Sequence, residues 1–496
     1  MAHTRRVHDG GPSRRAALGG AGAALLASIL PGCDRGPHLL PVTASSGADR
    51  AVEAARSFAG RTLRVGWESG AQADEVLRQS GPRWEELTGI RVQVVEMGTP
   101  AQQFRYVMAE HGARSGALDC ASIAPAWLPD LTRVEALLPL DERVAHYLPA
   151  ADLEDYLPGY RALGVWEGRR YGLFDDGDVL LLYWRRDLFE DPEMRAAFEA
   201  RHGRPLPDPR SGSWSDFTDA AAFFTQPALG RYGLAPFTPD LWWSWYQCLL
   251  RQRGETFFEE EGMRANVGSP VATRLLADLV GLRAYMPPTT KDSVYTTLAT
   301  WLAGNAAMAT FWPPLGRWAE GYGAPPWGGV PPSQVIGRTG YALLPGGVTE
   351  LSVGFVLSVL SGSKEPDAAY LFIQWLTSPT VSLNRVMAPF ALRDPYRVSH
   401  VTSPAFRALW PNAGAYLDTL REGSARMLPD LTLPGTNRYA AAFQEAWTRL
   451  LLGAAPEHVG AEMARDWDAI TDDLGVSAQR VAWRAFLGPP AASPDR

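Results

Sequence analysis

The chain has 496 residues, 46% apolar and 20% charged, enough to bury a large core and to divide into more than one domain. Its formal net charge of −7 is spread over the length without a basic block, which excludes the electrostatic footprint of a nucleic-acid binder. The eight histidines show no H-E-x-x-H spacing, the three cysteines no C-x-x-C, and no G-x-S-x-G elbow or phosphate loop occurs, so no cofactor, metal or catalytic residue is expected.

Residues 1–33 read as an address. Arg14 and Arg15 precede an apolar, Gly/Ala-rich stretch too short and too interrupted to span a bilayer as a structural helix. Ser13-Arg14-Arg15 with Ala17 and Leu18 resembles a twin-arginine signal, although Ala17 stands where an aromatic is more usual, so the general secretion route stays open beside it. Leu30-Pro31-Gly32-Cys33 is similar to a bacterial lipobox, which implies acylation of Cys33 and a protein held at the outer face of the cytoplasmic membrane or in the periplasm. The plainer alternative is an unmodified Cys in an ordinary cleaved signal. Residues 34–60 are small, polar and Pro-bearing, as a flexible tether would be, with an Ala-rich end suited to a helix. Cys120 and Cys248 lie far apart and are expected as two free, buried thiols.

Folded pattern begins at Arg61. "TLRVGW" alternates Leu63 and Val65 inward, then Val76, Leu77, Trp84 and Leu87 share one helical stripe that Gly89 can close as a left-handed cap. "IRVQVVEM" alternates Ile90, Val92 and Val94, which completes a β-α-β unit, and residues 118–123 read as a further strand. In parallel α/β sheets ligands settle beyond the carboxyl ends of strands, where Trp67, Glu68 and Trp127 fall.

The ordered set "WEELTGIRVQVVE", "LDCASIAPAWL", "LLPLDE", "RRYGLFDDGDVLLLYWRRDLFED", "GSWSDFTDAAAFFT", "LAGNAAMATFW" and the C-terminal "AWTRLLLGAAPEHVGAEMARDWDAITDDLG" resembles the bacterial extracellular solute-binding proteins, in the carbohydrate-binding branch of ABC importers that contains maltose-binding protein. The resemblance runs over about residues 60 to 476 and implies an α/β, two-lobed periplasmic-binding-protein fold of type II, with discontinuous lobes joined by hinge strands around a central cleft. It implies a first lobe of residues 61–175 and 352–393, a second of 176–351 and 394–480, and a C-terminal tail of 481–496. The run after Tyr171-Gly172-Leu173 then carries the chain between lobes, a second crossing falls at Ser352 to Phe355 and a third near Arg393.

Aromatics and acids supply the candidate site. Sugar rings offer C–H faces to flat aromatics and hydroxyl rims to carboxylates or Arg. Trp67, Trp127, Trp242, Trp243, Trp245 and Trp312 fall outside an obvious core stripe, and for each the bland reading is a core aromatic. Since Trp242, Trp243 and Trp245 enter an apolar helix together, at least one is expected to point away from the core. Glu68, Asp178 and Arg393 are the polar candidates, and Gly354 with Phe355 lets backbone approach a ligand. Asp175, Asp176 and Asp178 are either hydroxyl acceptors or caps of a turn at Gly177.

The resemblance implies a monomeric receptor, not an enzyme, that closes on a sugar or polyol and delivers it to membrane permease subunits. Two alternatives stay open: a lipid-anchored carbohydrate-active hydrolase, whose two carboxylates leave no sequence signature, and a receptor serving a membrane sensor.

Overall fold

The computed structural model describes Pro37 and residues 39–289, 292–324, 330–352, 354–390 and 392–487. The export signal and Cys33 lie outside the described residues, as do the last nine residues of the tail. Pro37 belongs with residues 1–38, a unit apart from Leu39–Arg496. Everything below concerns the second unit.

Among the described residues thirteen strands punctuate a largely helical chain: β1 Thr62–Trp67, β2 Arg91–Glu96, β3 Cys120–Ile123, the hairpin β4 Val165–Trp166 and β5 Arg169–Arg170, β6 Leu173–Asp176, β7 Leu181–Arg185, β8 Tyr232–Leu234, β9 Ala306–Phe311, β10 Thr339–Ala342, β11 Thr349–Leu351, β12 Phe355–Val359 and β13 Met427–Pro429. Five of them form one sheet in the order β2-β1-β3-β12-β6, and four form another in the order β10-β7-β9-β8. β1 runs parallel to β2 and β3, as the β-α-β reading requires, whereas β12 joins antiparallel to both β3 and β6. The central strands are buried along their whole length, which fits their continuous apolar runs.

The helix between β1 and β2 is less regular than its stripe suggests. A π-helical turn, Val76–Ser80, interrupts it, Leu77 turns out to solvent, and Gly89 closes the last segment at φ 74°. The expected tether is folded from Leu39 onward. Ser46 caps a helix, Gly47–Ala55, whose Ala51, Ala54 and Ala55 are buried; it packs against helix Pro366–Thr377, where the Gln374 amide donates to the Gly47 carbonyl at 2.8 Å. Small Ala side chains permit that close approach. The tail is likewise helical over Val476–Leu487.

The chain passes from the five-stranded sheet to the four-stranded one and back, and a third segment lies against these two passages. β6 ends in one sheet and β7 begins in the other, with Gly177 to Leu180 between them. The return run from β11 to β12 pairs with this segment through the Val179–Leu351 bridge, Leu180 N–H to the Glu350 carbonyl, and Ser352 N–H to the Asp178 carbonyl. The third run follows helix Pro379–Met387 and reaches Asp394 and Pro395. Gly177 is required here because a Cβ on it would stand 2.4 Å from the Pro395 carbonyl oxygen. These three segments thus share one tightly packed neck.

Candidate functional site

A cavity of about 150 Å³ opens beside this neck. Its lining draws on every layer of the fold: Glu68 just past β1, Gln72 and Pro100, Asp178 of the first crossing, Asp240 and Val294, Phe311, Trp312, Pro314 and Trp318 around the end of β9, Phe355 at the start of β12, and Leu392 with Asp394 of the third segment. Strand ends deliver Glu68, Asp178, Phe311, Trp312 and Phe355, because a strand's terminal residue leaves the sheet where its neighbours no longer cover it, and helices deliver Gln72, Pro100, Asp240, Val294, Pro314 and Trp318.

The neck carries two kinds of acid. Asp175 and Asp176 are fully buried and held by guanidinium groups. Arg385 of helix Pro379–Met387 bonds Glu75 at 2.8 Å and Asp175, while Arg393 lies 3.2 Å from Asp175 and 2.9 Å from Asp176. Arg393 also donates to the Gln72 side chain and backbone carbonyl, and its guanidinium sits 5.5 Å from the centre of the Trp67 ring. The Asp394 N–H donates to Asp176 at 2.8 Å. Even so, burial pushes the Asp176 carboxyl up to about 6 against the pull of Arg393.

Asp178 and Asp394 have no such partner. One Asp178 oxygen accepts the Gly354 N–H at 3.0 Å, and both Asp394 oxygens are buried without a hydrogen-bond donor. One oxygen each of Asp176, Asp178 and Asp394 lie within 4.8 Å of one another. Burial first, then the charge of Asp176, holds both Asp178 and Asp394 well above the usual carboxylate range. Glu68 is pushed up to about 8, by burial and then by Asp240, which stands on helix Pro239–Gln252 of the other sheet's surroundings. Carboxylates from both sides therefore face one cavity.

The aromatic side is built around Trp312, half-buried, whose indole N–H donates to the Ser352 carbonyl at 3.1 Å and whose own carbonyl accepts from the Tyr183 hydroxyl at 3.0 Å. Both bonds fix its plane. Phe311 meets it edge-on with centroids 5.2 Å apart, and Phe355 and Trp318 close the apolar wall.

Of the residues singled out in the sequence, Glu68, Asp178, Trp312 and Phe355 line this cavity, while Gly354 supports it through Asp178. The remainder lie elsewhere. Trp67 and Arg393 pack on each other beneath the wall, and Trp127 is buried against Phe104 with centroids 5.7 Å apart. Trp242, Trp243 and Trp245 all point into the core, contrary to the expectation for that helix. Trp242 packs on Trp447 at 4.4 Å, Trp243 on Phe443 at 5.0 Å, and Trp245 on Phe217 at 5.3 Å. Helix Pro239–Gln252 is covered on all sides, so no face was left for solvent. Cys120 and Cys248 are free and buried, as expected. Sequence reasoning missed Asp240 and Asp394, although each adjoins a residue or segment it had marked, and it missed Trp318 and Phe311 because both follow core patterns.

Residues 67–382 match the family model of the bacterial extracellular solute-binding proteins, and the chain belongs to that family. Among curated relatives, it is 23% identical over 399 residues to the probable amino-acid ABC transporter periplasmic-binding protein y4oP of Sinorhizobium fredii, spanning 78% of this chain and 84% of that one. Among solved structures it is similar to an ABC transporter solute-binding protein of Agrobacterium radiobacter K84 in complex with ribitol, at TM-score 0.67 and 19% identity over 83% of this chain and 99% of that one. A solute-binding protein of Agrobacterium vitis S4 with bound D-mannitol gives TM-score 0.67 and 18% identity over 84% and 99%. The fold is that of a two-lobed periplasmic binding protein of ABC importers, with the five- and four-stranded sheets at the heart of its two lobes.

Proposed function

We propose that the protein is an exported receptor that takes a small polyol or carbohydrate between its lobes, closes, and presents it to the membrane permease subunits of an ABC importer. The observation that carries this reading is the cavity at the neck, to which both sheets' surroundings and all three segments of the neck contribute. Trp312 and Phe355 offer faces to C–H groups, and Glu68, Asp178, Asp240 and Asp394 offer acceptors to hydroxyls. Supporting it are the ribitol and D-mannitol held by structurally similar proteins. The lobes run through residues 61–175 with 352–393 and 176–351 with 394–480, so the first boundary falls at the end of β6. Acylated Cys33 tethers the protein to the membrane, and it acts as a monomer that breaks no bond. Contacts made to the solute from both lobes exist only in the closed form, and that differential affinity shifts the population towards closure.

A thermal-shift screen of sugars and sugar alcohols tests the reading. A ligand at about 100 times its dissociation constant adds about 2.7 kcal/mol of stability, and small-angle scattering of the same samples should show a smaller radius. A stabilising compound that leaves the radius unchanged would count against closure, and consumption of a glycoside would turn the assignment to a hydrolase.

A further inference from the structure

The cavity wall is unbalanced in charge and in hydrogen bonding. Four carboxyl groups line it, Glu68, Asp178, Asp240 and Asp394, and among the described residues no Lys or Arg does. Arg393, below the wall, is committed to Asp175, Asp176 and Gln72, and Arg317, whose charge also reaches Asp394, donates to the Val386 carbonyl at 2.8 Å. Three further donors around the wall are engaged as well. The Gln72 amide donates to Asp176 at 3.3 Å, the Trp312 indole to the Ser352 carbonyl, and the Gly354 N–H to Asp178. Asp394, 1% exposed, lines the space, accepts from no N–H or hydroxyl donor, and lies close enough to Asp178 for the two carboxyls to share a proton.

A neutral polyol suits such a wall poorly. Each hydroxyl donates one proton but also carries lone pairs that want donors, whereas an ammonium has three donors and no acceptor. Its charge also favours the ionised carboxylates and so displaces the protons that burial and mutual repulsion otherwise hold on them. A metal ion fits less well. Calcium takes six to eight oxygens, roughly, whereas Asp176 is already occupied by Arg393 and the Asp394 N–H, and the rest of the lining is largely apolar.

We propose that the solute is a polyhydroxylated amine, an amino sugar or amino polyol, with its ammonium against Asp178 and Asp394 and its carbon skeleton on Trp312 and Phe355. This rests on the polyol reading of the same cleft and narrows it.

The test is calorimetric titration of the purified protein at near-neutral pH with matched pairs, glucosamine against glucose and glucamine against glucitol, and with calcium chloride alone. The amine of at least one pair should bind about tenfold or more tighter than its neutral partner. Asp394→Asn should weaken the amine far more than its neutral partner and so bring that ratio close to one, and a cooperative thermal melt with an unchanged circular dichroism spectrum shows that the variant is folded. Asp240→Asn, at the exposed mouth, should reduce the ratio in part. Equal or tighter binding of the neutral members would overturn the amine assignment and leave the polyol reading standing. Calcium binding that Asp394→Asn abolishes, without preference for either amine, would replace it with a metal site. No heat from any of the four organic compounds would overturn both readings.

Discussion

Two pairs of acids, Asp175 with Asp176 and Asp178 with Asp394, sit within one neck at similar burial and have opposite surroundings. The first pair is enclosed by Arg385 and Arg393, whereas the second touches the cavity and forms no ion pair with a described Lys or Arg. Burial alone therefore does not separate a structural acid from one available to a ligand; the partner does. A buried charge with its counter-charge behaves as a strut, and one without it is an unmet demand.

Breaking the first pair should have the largest effect. Arg385→Ala strands Glu75 and Asp175 in the interior and is expected to cost about 3–5 kcal/mol, measurable by chemical denaturation. The second pair should respond with the opposite sign: Asp394→Asn replaces an acid that burial and Asp176 make costly to ionise and gives Asp178 a donor, which is expected to raise the stability of the ligand-free protein by about 1 kcal/mol. If both variants destabilise alike, the contrast between the pairs is false.

The pH profile sharpens it further. Glu68 has its carboxyl raised to about 8 from an ordinary 4.5, so its folded state prefers the proton. Its contribution to stability is complete below about pH 4.5 and is lost as the pH rises through about 8. Asp178 and Asp394 act with the same sign. Melting temperature should therefore fall from mildly acidic to mildly alkaline buffer, and Glu68→Gln should flatten part of that fall; an unchanged slope would show that Glu68 and Asp240 do not meet in solution.

The smallest effect is expected away from the neck. Asp130 of helix Leu128–Arg133 accepts the Gly435 N–H with both oxygens at 3.0 Å, capping helix Thr436–Leu451. Asp130→Ala should cost about 1 kcal/mol and increase the scattering radius of the ligand-free protein, because this contact joins an element following β3 to one packed beside the other sheet.

How legible this was depended on range. The β-α-β start, the Gly89 cap and the crossing at Gly177 are local patterns, and the sequence displays them directly. Asp178 could be marked from its place beside Gly177, but nothing within reach of it in sequence reveals that Asp394 would be its neighbour and Arg393 would not be its counter-ion. The cluster Trp242, Trp243 and Trp245 misled for the converse reason. An apolar helix normally leaves one face to solvent, and here the C-terminal helices Thr436–Leu451 and Pro456–Leu474, some two hundred residues on, bring Phe443, Trp447 and Trp467 to cover it. Long-range cover leaves no local trace.

That buried aromatic mass has an optical consequence. Among the described tryptophans only Trp312 and Trp318 line the cavity, while Trp67, Trp84, Trp242, Trp245, Trp301, Trp467 and Trp483 are fully enclosed. Intrinsic emission will thus be dominated by indoles that no solute reaches. A ligand will change a small part of a bright, blue-shifted background, and Trp312→Phe should remove most of that change without dimming the rest.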